Sequence, residues 1–156
     1  MKTKSRTAFL LDIDNLCGSP QATEAQVLQV FRALEAKYKL TSADQVYCAA
    51  TAQAAFWVKK HRPGFTVKVG RGKDGSDLRL LEIGDPQWLK NQFDRVVIGS
   101  GDGIFGPLAQ SLVDLGVHVE VTCGHGAMAR SIHRLATSYE QPRNIRLARL
   151  NFAVAA

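Results

Sequence analysis

Residues 8–15 read Ala-Phe-Leu-Leu-Asp-Ile-Asp-Asn, an apolar run that ends in two carboxylates and an amide. An uninterrupted apolar run of this length predicts a strand over residues 8–13 that is buried on both faces, as the central strands of parallel sheets are. Five further strands are predicted from apolar content or alternation, at residues 46–50, 65–69, 95–98, 117–121 and, as an edge strand, 145–150.

Helical patterns separate these strands. Thr23 and Gln26 have the spacing of a capping box, and the apolar residues that follow recur at helical intervals. Further helices are predicted at residues 51–61 and 76–83, around Leu108–Leu115, and from Met128 to Tyr139. Gly84-Asp85-Pro86 is predicted to break the chain after residue 83. Because strands that alternate with helices form a mostly parallel sheet, the predicted fold is α/β, a three-layer α/β/α sandwich around a Rossmann-like sheet of five or six strands.

Length and composition indicate one ordinary globular domain. The chain has 156 residues, of which 46% are hydrophobic and 22% charged, so we expect a single domain over residues 1–156 with its core at about 8–150. No apolar run approaches the ~20 residues that cross a bilayer, and no contact with a membrane is expected. The apolar stretch after the basic N-terminus ends at Asp12, too early for a signal peptide, which favours a cytoplasmic protein.

Three widely spaced cysteines, Cys17, Cys48 and Cys123, form no paired motif. We expect them to be reduced thiols in or near the core, because neither disulfides nor a zinc site fits an odd, dispersed set. The net charge of +6 shifts the expected partner towards a polyanion, since each neutralised phosphate releases counterions.

Four aspartates follow predicted strands. Asp12 and Asp14 close the first strand, Asp102 follows the fourth, and Asp77 begins the helix after the third. The carboxyl ends of parallel strands meet at one edge of the sheet, where ligands bind, so these side chains are expected to converge. Converging carboxylates raise one another's pKa values, and Mg²⁺ or Mn²⁺ relieves the repulsion. The alternative is that each aspartate caps the helix that follows it.

Three stretches resemble a known family. Asp12-x-x-Asn15, Lys73-x-x-x-Asp77 and Ser100-Gly101-Asp102 stand in the order of the signature stretches of NYN domains, a branch of the PIN-like nucleases, and the resemblance extends from about Ala8 to Tyr139. It implies a Rossmann-like sheet, a Mg²⁺ or Mn²⁺ site and ribonuclease activity. It also implies roles for particular residues: metal ligands at Asp12, Asp77 and Asp102, an Asp12-orienting or substrate-contacting residue at Asn15, and a support for Asp102 at Ser100.

The sequence departs from the family pattern after Asp102. The family commonly has a second acid two residues later, where this chain has Ile104. Three consequences remain open: Asp14 supplies the fourth carboxylate, the site holds one metal, or the activity is weakened or lost. Ser131 matches a serine of the family's last helix, but Ser138 stands where an acid is expected.

Basic and polar residues supply candidate contacts to RNA. The substrate-binding candidates are Arg71, Lys73, Ser100, Arg130, Ser131 and Arg134. His125 and His133 are candidates for acid–base work, although surface or packing histidines are commoner. Trp57 and Trp88 are candidates for stacking on bases, although packing in the core or at its rim is commoner. The expected partner is RNA, no organic cofactor is expected, and homo-oligomerisation is left open.

Two other enzyme or ligand classes fit parts of the sequence. Asp12-Ile13-Asp14 resembles the first motif of haloacid dehalogenase-like phosphatases, although Leu16 stands where a threonine or valine is usual. Gly101-x-Gly103-x-x-Gly106 fits a dinucleotide fingerprint, although Asp102 would face the pyrophosphate. A third alternative, an RNA-binding domain without catalysis, follows from Ile104.

Overall fold

A six-stranded, all-parallel sheet organises the molecule, in the order β3-β2-β1-β4-β5-β6. The computed structural model describes residues 5–71, 75–137 and 144–153. The strands within these ranges are β1 (Thr7–Asp12), β2 (Gln45–Ala50), β3 (Thr66–Val69), β4 (Arg95–Gly99), β5 (His118–Cys123) and β6 (Ile145–Arg149). The chain turns outward in opposite directions from β1 and β4, which makes their shared carboxyl end the switch point at which ligands bind in such sheets.

Helices cover both faces of the sheet. They are α1 (Ile13–Cys17), α2 (Glu24–Tyr38), α3 (Ala52–His61), α4 (Gly75–Ile83), α5 (Pro86–Gln92), α6 (Gly106–Asp114) and α7 (Arg130–Thr137), with a 3-10 turn at Gly103–Phe105. Buried side chains of α1, α2 and α3 form one core with the sheet, and those of α4 to α7 form the other. All six residues of β1 are buried, as its apolar sequence predicts. The α/β/α sandwich is therefore confirmed.

Two short helices were not predicted. The strand predicted over residues 8–13 ends at Asp12, because the Asp12 side chain caps α1 and Gly18 ends that helix with a φ of 72°. The predicted break at Gly84-Asp85-Pro86 is followed at once by α5, in which Asp85 caps the backbone N–H of Trp88 at 3.0 Å. Proline at the first position of a helix favours its start, so the segment that ends α4 also contains the first residue of α5.

Two local predictions, the capping box and the buried cysteines, are confirmed. The capping box is formed by Thr23 and Gln26 at the start of α2. The three cysteines are free and buried. Within the described ranges, no helix combines the length and the apolar character that crossing a membrane requires. The part of the last predicted helix beyond residue 137 lies outside the described residues.

Candidate active site

Two buried carboxyl groups meet at the carboxyl end of β1. Asp12 is the last residue of that strand and is 3% exposed, and Asp77 lies in the first turn of α4 and is 6% exposed. The two side chains hydrogen-bond to each other. Burial raises the pKa of Asp12 far above its usual range, and the hydrogen bond and charge of Asp77 raise it further. Since a carboxylate can only accept, the pair must share a proton when nothing else lies between them.

Asp14 lies beside this pair but is held by other groups. Thr51 donates its backbone N–H to one carboxylate oxygen at 2.7 Å and its hydroxyl to the other at 2.9 Å. Ser76, the neighbour of Asp77, donates its hydroxyl at 3.5 Å. Burial raises the pKa of Asp14, while the Thr51 hydrogen bonds oppose that shift. Asp14 therefore ties α1 to the starts of α3 and α4, which brings α4 and its Asp77 against β1.

The three carboxylates border one cavity, hereafter the acid cavity, of about 420 Å³. Its lining residues are Asp12, Asp14, Asn15, Gly18, Ser19, Pro20, Thr51, Gly75, Ser76, Asp77 and Gly126. The cavity opens at the carboxyl end of the central strand, where the order of the sheet predicts a ligand site.

Asn15 connects the end of β1 to the end of β4. Its backbone N–H donates to Asp12 Oδ1 at 3.3 Å, and its side-chain Oδ1 accepts the backbone N–H of Gly101 at 3.1 Å. The first contact helps to orient Asp12, and the second fixes the turn that carries Asp102. The side chain of Asn15 therefore contacts the turn of Asp102, and the residue reaches Asp12 only through its backbone N–H.

Asp102 does not border the acid cavity. Its Oδ1 accepts the backbone N–H of Ile104 at 3.0 Å, so it caps the 3-10 turn. Its own backbone N–H donates to the hydroxyl of Ser100 at 3.2 Å, and Ser100 is fully buried. Of the four aspartates expected to converge, the structure brings three to one cavity and keeps the fourth on the adjacent loop. For Asp102 the helix-capping alternative describes the observed contact.

The acid cavity fits a divalent cation. Among the described residues, no group of three or more His, Cys, Asp or Glu side chains is arranged as a ready metal cage. Asp12 and Asp77 nevertheless present carboxyl oxygens side by side in a buried place, where burial and their mutual contact favour a shared proton. Mg²⁺ commonly binds through one or two carboxylates and keeps several waters, so a cation that replaces that proton matches this donor set.

The candidate RNA contacts are distributed around the same edge of the sheet. Arg71 is exposed just after β3. Arg130, Ser131 and Arg134 are exposed on α7. A Cβ placed on Gly103 would lie 2.8 Å from the Ser131 hydroxyl, so the start of α7 adjoins the turn that Asp102 caps. Two positions considered from the sequence, Lys73 and Ser138, lie outside the described residues.

The histidines and tryptophans do not border the acid cavity. The ring of His125 stacks on another aromatic ring near the end of the described chain, and His133 lines a different cavity. Trp57 packs against the core on the α2 side, and Trp88 makes edge contacts with neighbouring rings. The packing alternative therefore describes both tryptophans.

Sequence reasoning missed the roles of Thr51 and of several glycines. Thr51 follows β2 at the edge where Asp14 follows β1, a position that could have indicated the contact. A Cβ on Gly101 would lie 2.4 Å from the carbonyl oxygen of Ala127, so this glycine permits close backbone packing. A Cβ on Gly103 would likewise crowd the Ser131 hydroxyl, so close packing accounts for two glycines of the dinucleotide fingerprint without a phosphate.

A Rossmann-like parallel sheet with carboxylates at the carboxyl end of its central strand is the arrangement of PIN-like nucleases. This chain belongs to the NYN domain family, whose model matches residues 6–141. NYN domains are a branch of the PIN-like nuclease superfamily, which are generally hydrolases that act on RNA and typically use divalent metals. The family resemblance of the three stretches is thus confirmed.

A solved structure supports the fold. A crystal structure of a protein of unknown function from Vibrio parahaemolyticus is similar to this chain with a TM-score of 0.61 and 19% identity, over 97% of each chain. At this identity the likeness shows the shared fold alone. No curated protein matches the sequence.

Proposed function

We propose that this protein is a divalent-metal-dependent endoribonuclease that hydrolyses phosphodiester bonds of single-stranded RNA. One observation carries the proposal: Asp12 and Asp77, far apart in sequence, are buried in contact with each other at the carboxyl end of β1. Two buried acids that face each other destabilise the folded protein once both ionise, whereas a cation-binding enzyme needs such a pair. Membership of a family of RNA-acting hydrolases supports the same conclusion.

In this proposal Asp12 and Asp77 hold Mg²⁺ or Mn²⁺. A bound ion of this kind supplies positive charge for the phosphodiester and lowers the pKa of a water. Asp14 keeps α4 in place through Thr51 and Ser76, and a direct role of Asp14 as a fourth carboxylate remains a prediction.

Asp102 enters the proposal as a further carboxylate on the loop next to the acid cavity. The turn that carries it is anchored twice, by Asn15 through Gly101 and by the buried hydroxyl of Ser100. Only one of its carboxylate oxygens caps Ile104, so the other can serve as an acceptor for a water or a ligand. Full burial of Ser100 favours its support of this turn over contact with substrate.

RNA would be held through its phosphates by basic residues. We assign this role to the exposed Arg71, Arg130 and Arg134, with Lys73 and Ser131 as further candidates. Contacts of this kind give affinity without sequence preference and weaken as salt rises. The buried reduced thiols fit a reducing compartment, and we place the protein in the cytoplasm.

A second candidate is an RNA-binding domain that has lost cleavage. Ile104 is partly buried and packs against the core formed with α4 to α7, so the family's usual acid has been replaced by a side chain with a packing role. This observation favours a weakened site.

A cleavage assay separates the candidates. Single-stranded RNA, labelled at one end, is incubated with the protein in Mn²⁺, in Mg²⁺ and in EDTA. We expect internal cleavage in the metals alone, abolished by Asp12→Asn without loss of RNA binding. Asp114→Asn, an exposed site on α6, is the matched control and should cleave normally. Binding without cleavage in either metal would favour the inactive domain, and phosphate release from phosphomonoesters without RNA cleavage would favour a phosphatase.

A further inference from the structure

His125 makes a parallel stacking contact, which differs from the other ring contacts among the described residues. Its imidazole lies flat on the ring of Phe152, with centroids 3.9 Å apart and planes 5° apart. The other aromatic pairs in the described residues are all edge-to-face, which is the usual packing of rings in cores. A parallel pair leaves a flat face of the outer ring available.

The outer ring is exposed and fixed in place. His125 is exposed, while Phe152 is half-buried against the core on the α2 side. Since Phe152 covers one face of the imidazole, the exposed surface of His125 comes mainly from its other face and its edges. Its Nε2 lies 3.3 Å from the Gln29 side-chain oxygen, within hydrogen-bond distance, which restrains rotation of the ring.

The loop that carries His125 is also held rigidly. Arg149 donates to the carbonyl oxygens of Gly124 at 2.7 Å and Gly126 at 3.0 Å, on either side of the histidine. The His125 backbone N–H donates to the carbonyl oxygen of Leu16 in α1 at 3.2 Å. The ring is therefore presented by a loop whose backbone is fixed at several points.

This ring adjoins the acid cavity. Gly126, the next residue, and Gly18 both line that cavity. The Cβ of His125 lies 3.0 Å from the position that a Cβ on Gly18 would occupy, so the histidine stands directly over the end of α1. The imidazole therefore lies next to two glycines of the cavity wall, Gly18 and Gly126.

We propose that His125, backed by Phe152, is a stacking platform for an unpaired base of the RNA next to the bond that is cleaved. This inference rests on the proposed function. It narrows the substrate to RNA that has at least one base with an accessible face. Stacking on an aromatic side chain favours single strands, because bases in a duplex already have both faces covered, and it tolerates any base because every base has a flat face. His125 is thus a substrate-positioning residue and not an acid or base.

The experiment measures binding apart from cleavage. Fluorescence anisotropy in EDTA compares a short single-stranded RNA with the same strand carrying an abasic site at successive positions. For the natural protein we expect one abasic position to weaken binding about tenfold, the scale of one stacked base. His125→Ala should remove that difference, and His125→Phe should preserve it, since a flat ring remains. Phe56→Ala, on α3 and 60% exposed, is the matched aromatic control and should leave the difference unchanged.

Several results would overturn the platform. The first is an equal response of the natural protein and His125→Ala to every abasic strand. The second is that His125→Phe no longer distinguishes the intact strand from the abasic one. The third is that duplex RNA binds as tightly as single strands. Cleavage of RNA without any dependence on a base would refute the platform and leave the nuclease intact. A loss of affinity at one abasic position that His125→Ala removes, in a protein that cleaves nothing, would support the platform and refute the nuclease.

Discussion

Asp12 and Asp77 share a hydrogen bond between buried carboxyl groups at the junction of β1 and α4. The contact depends on Asp14, which holds the start of α3 through Thr51 and contacts Ser76 beside Asp77. Asp12 and Asp14 therefore have different roles. Asp12 contacts a second acid, Asp77, and Asp14 holds α3 and α4 in the positions that allow this contact.

The shared proton makes the metal-free protein sensitive to pH. Burial, followed by Asp77, raises the pKa of Asp12 from 3.8 to about 9 in the folded state. The folded protein therefore keeps a proton that the unfolded chain releases, so this contribution to stability is complete below about pH 4 and is lost as pH rises towards 9. We expect the Tm in EDTA to fall between pH 5 and pH 8.5, and less steeply in Asp12→Asn, whose amide can donate to Asp77 without titrating. Equal slopes in both proteins, with Asp114→Asn as the exposed control, would contradict the shared proton.

The Asp14 contacts predict a stability defect. Thr51→Val removes the hydroxyl donor to Asp14 but keeps the backbone N–H, and should lower the free energy of unfolding by about 1 kcal/mol. Asp14→Ala removes both acceptors and should cost more, about 2–3 kcal/mol, because buried donors lose their partner. Urea unfolding measures both values. If Asp14→Ala abolished cleavage while its stability stayed unchanged, Asp14 would be a metal ligand and not a structural tie.

The bond between Asn15 and Gly101 predicts a loss of cleavage without a loss of binding. Asn15→Ala removes the side-chain acceptor that holds the turn of Asp102, and displacement of a catalytic group by about 1 Å can cost about a hundredfold in rate. We expect single-turnover cleavage to fall at least tenfold at unchanged RNA affinity. The control is Asn91→Ala, at an exposed position of α5, which should cleave at the normal rate. Normal cleavage by Asn15→Ala as well would exclude the positioning role of Asn15.

Ile104 predicts that the natural activity is restrained. Ile104→Asp supplies the acid that the family usually carries and should increase Mn²⁺-dependent cleavage severalfold, at a cost of about 1–2 kcal/mol because a partly buried apolar side chain is lost. Ile104→Ala is the control: it should carry a similar cost in stability without a gain in rate. An equal gain in both variants would assign the effect to loosened packing and not to the carboxylate.

The sequence predicted the fold well because its strands are strongly apolar. The run ending at Asp12 indicated a central strand, and the regular alternation with helices indicated a parallel sheet, so the meeting of Asp12 and Asp77 followed from topology. The direction in which each aspartate side chain points at its turn could not be predicted from the topology. Asp12, Asp85 and Asp102 each cap the helical turn that follows, but of the three only Asp12 also lines the acid cavity, and nothing in their sequence neighbours predicts that difference. The contacts of Asp14 depend on Thr51, which follows β2 at the same edge of the sheet but belongs to no recognisable motif.

The measurement that bears most directly on the central claim is a crystal structure grown at pH 8 with Mn²⁺ and recorded for its anomalous scattering. We predict one anomalous peak at coordination distance, about 2.1 Å, from an oxygen of Asp12 and an oxygen of Asp77, with their direct hydrogen bond broken. A peak elsewhere, or none, with Asp12 still hydrogen-bonded to Asp77 at that pH, would contradict the assignment of this pair as the metal site of a nuclease.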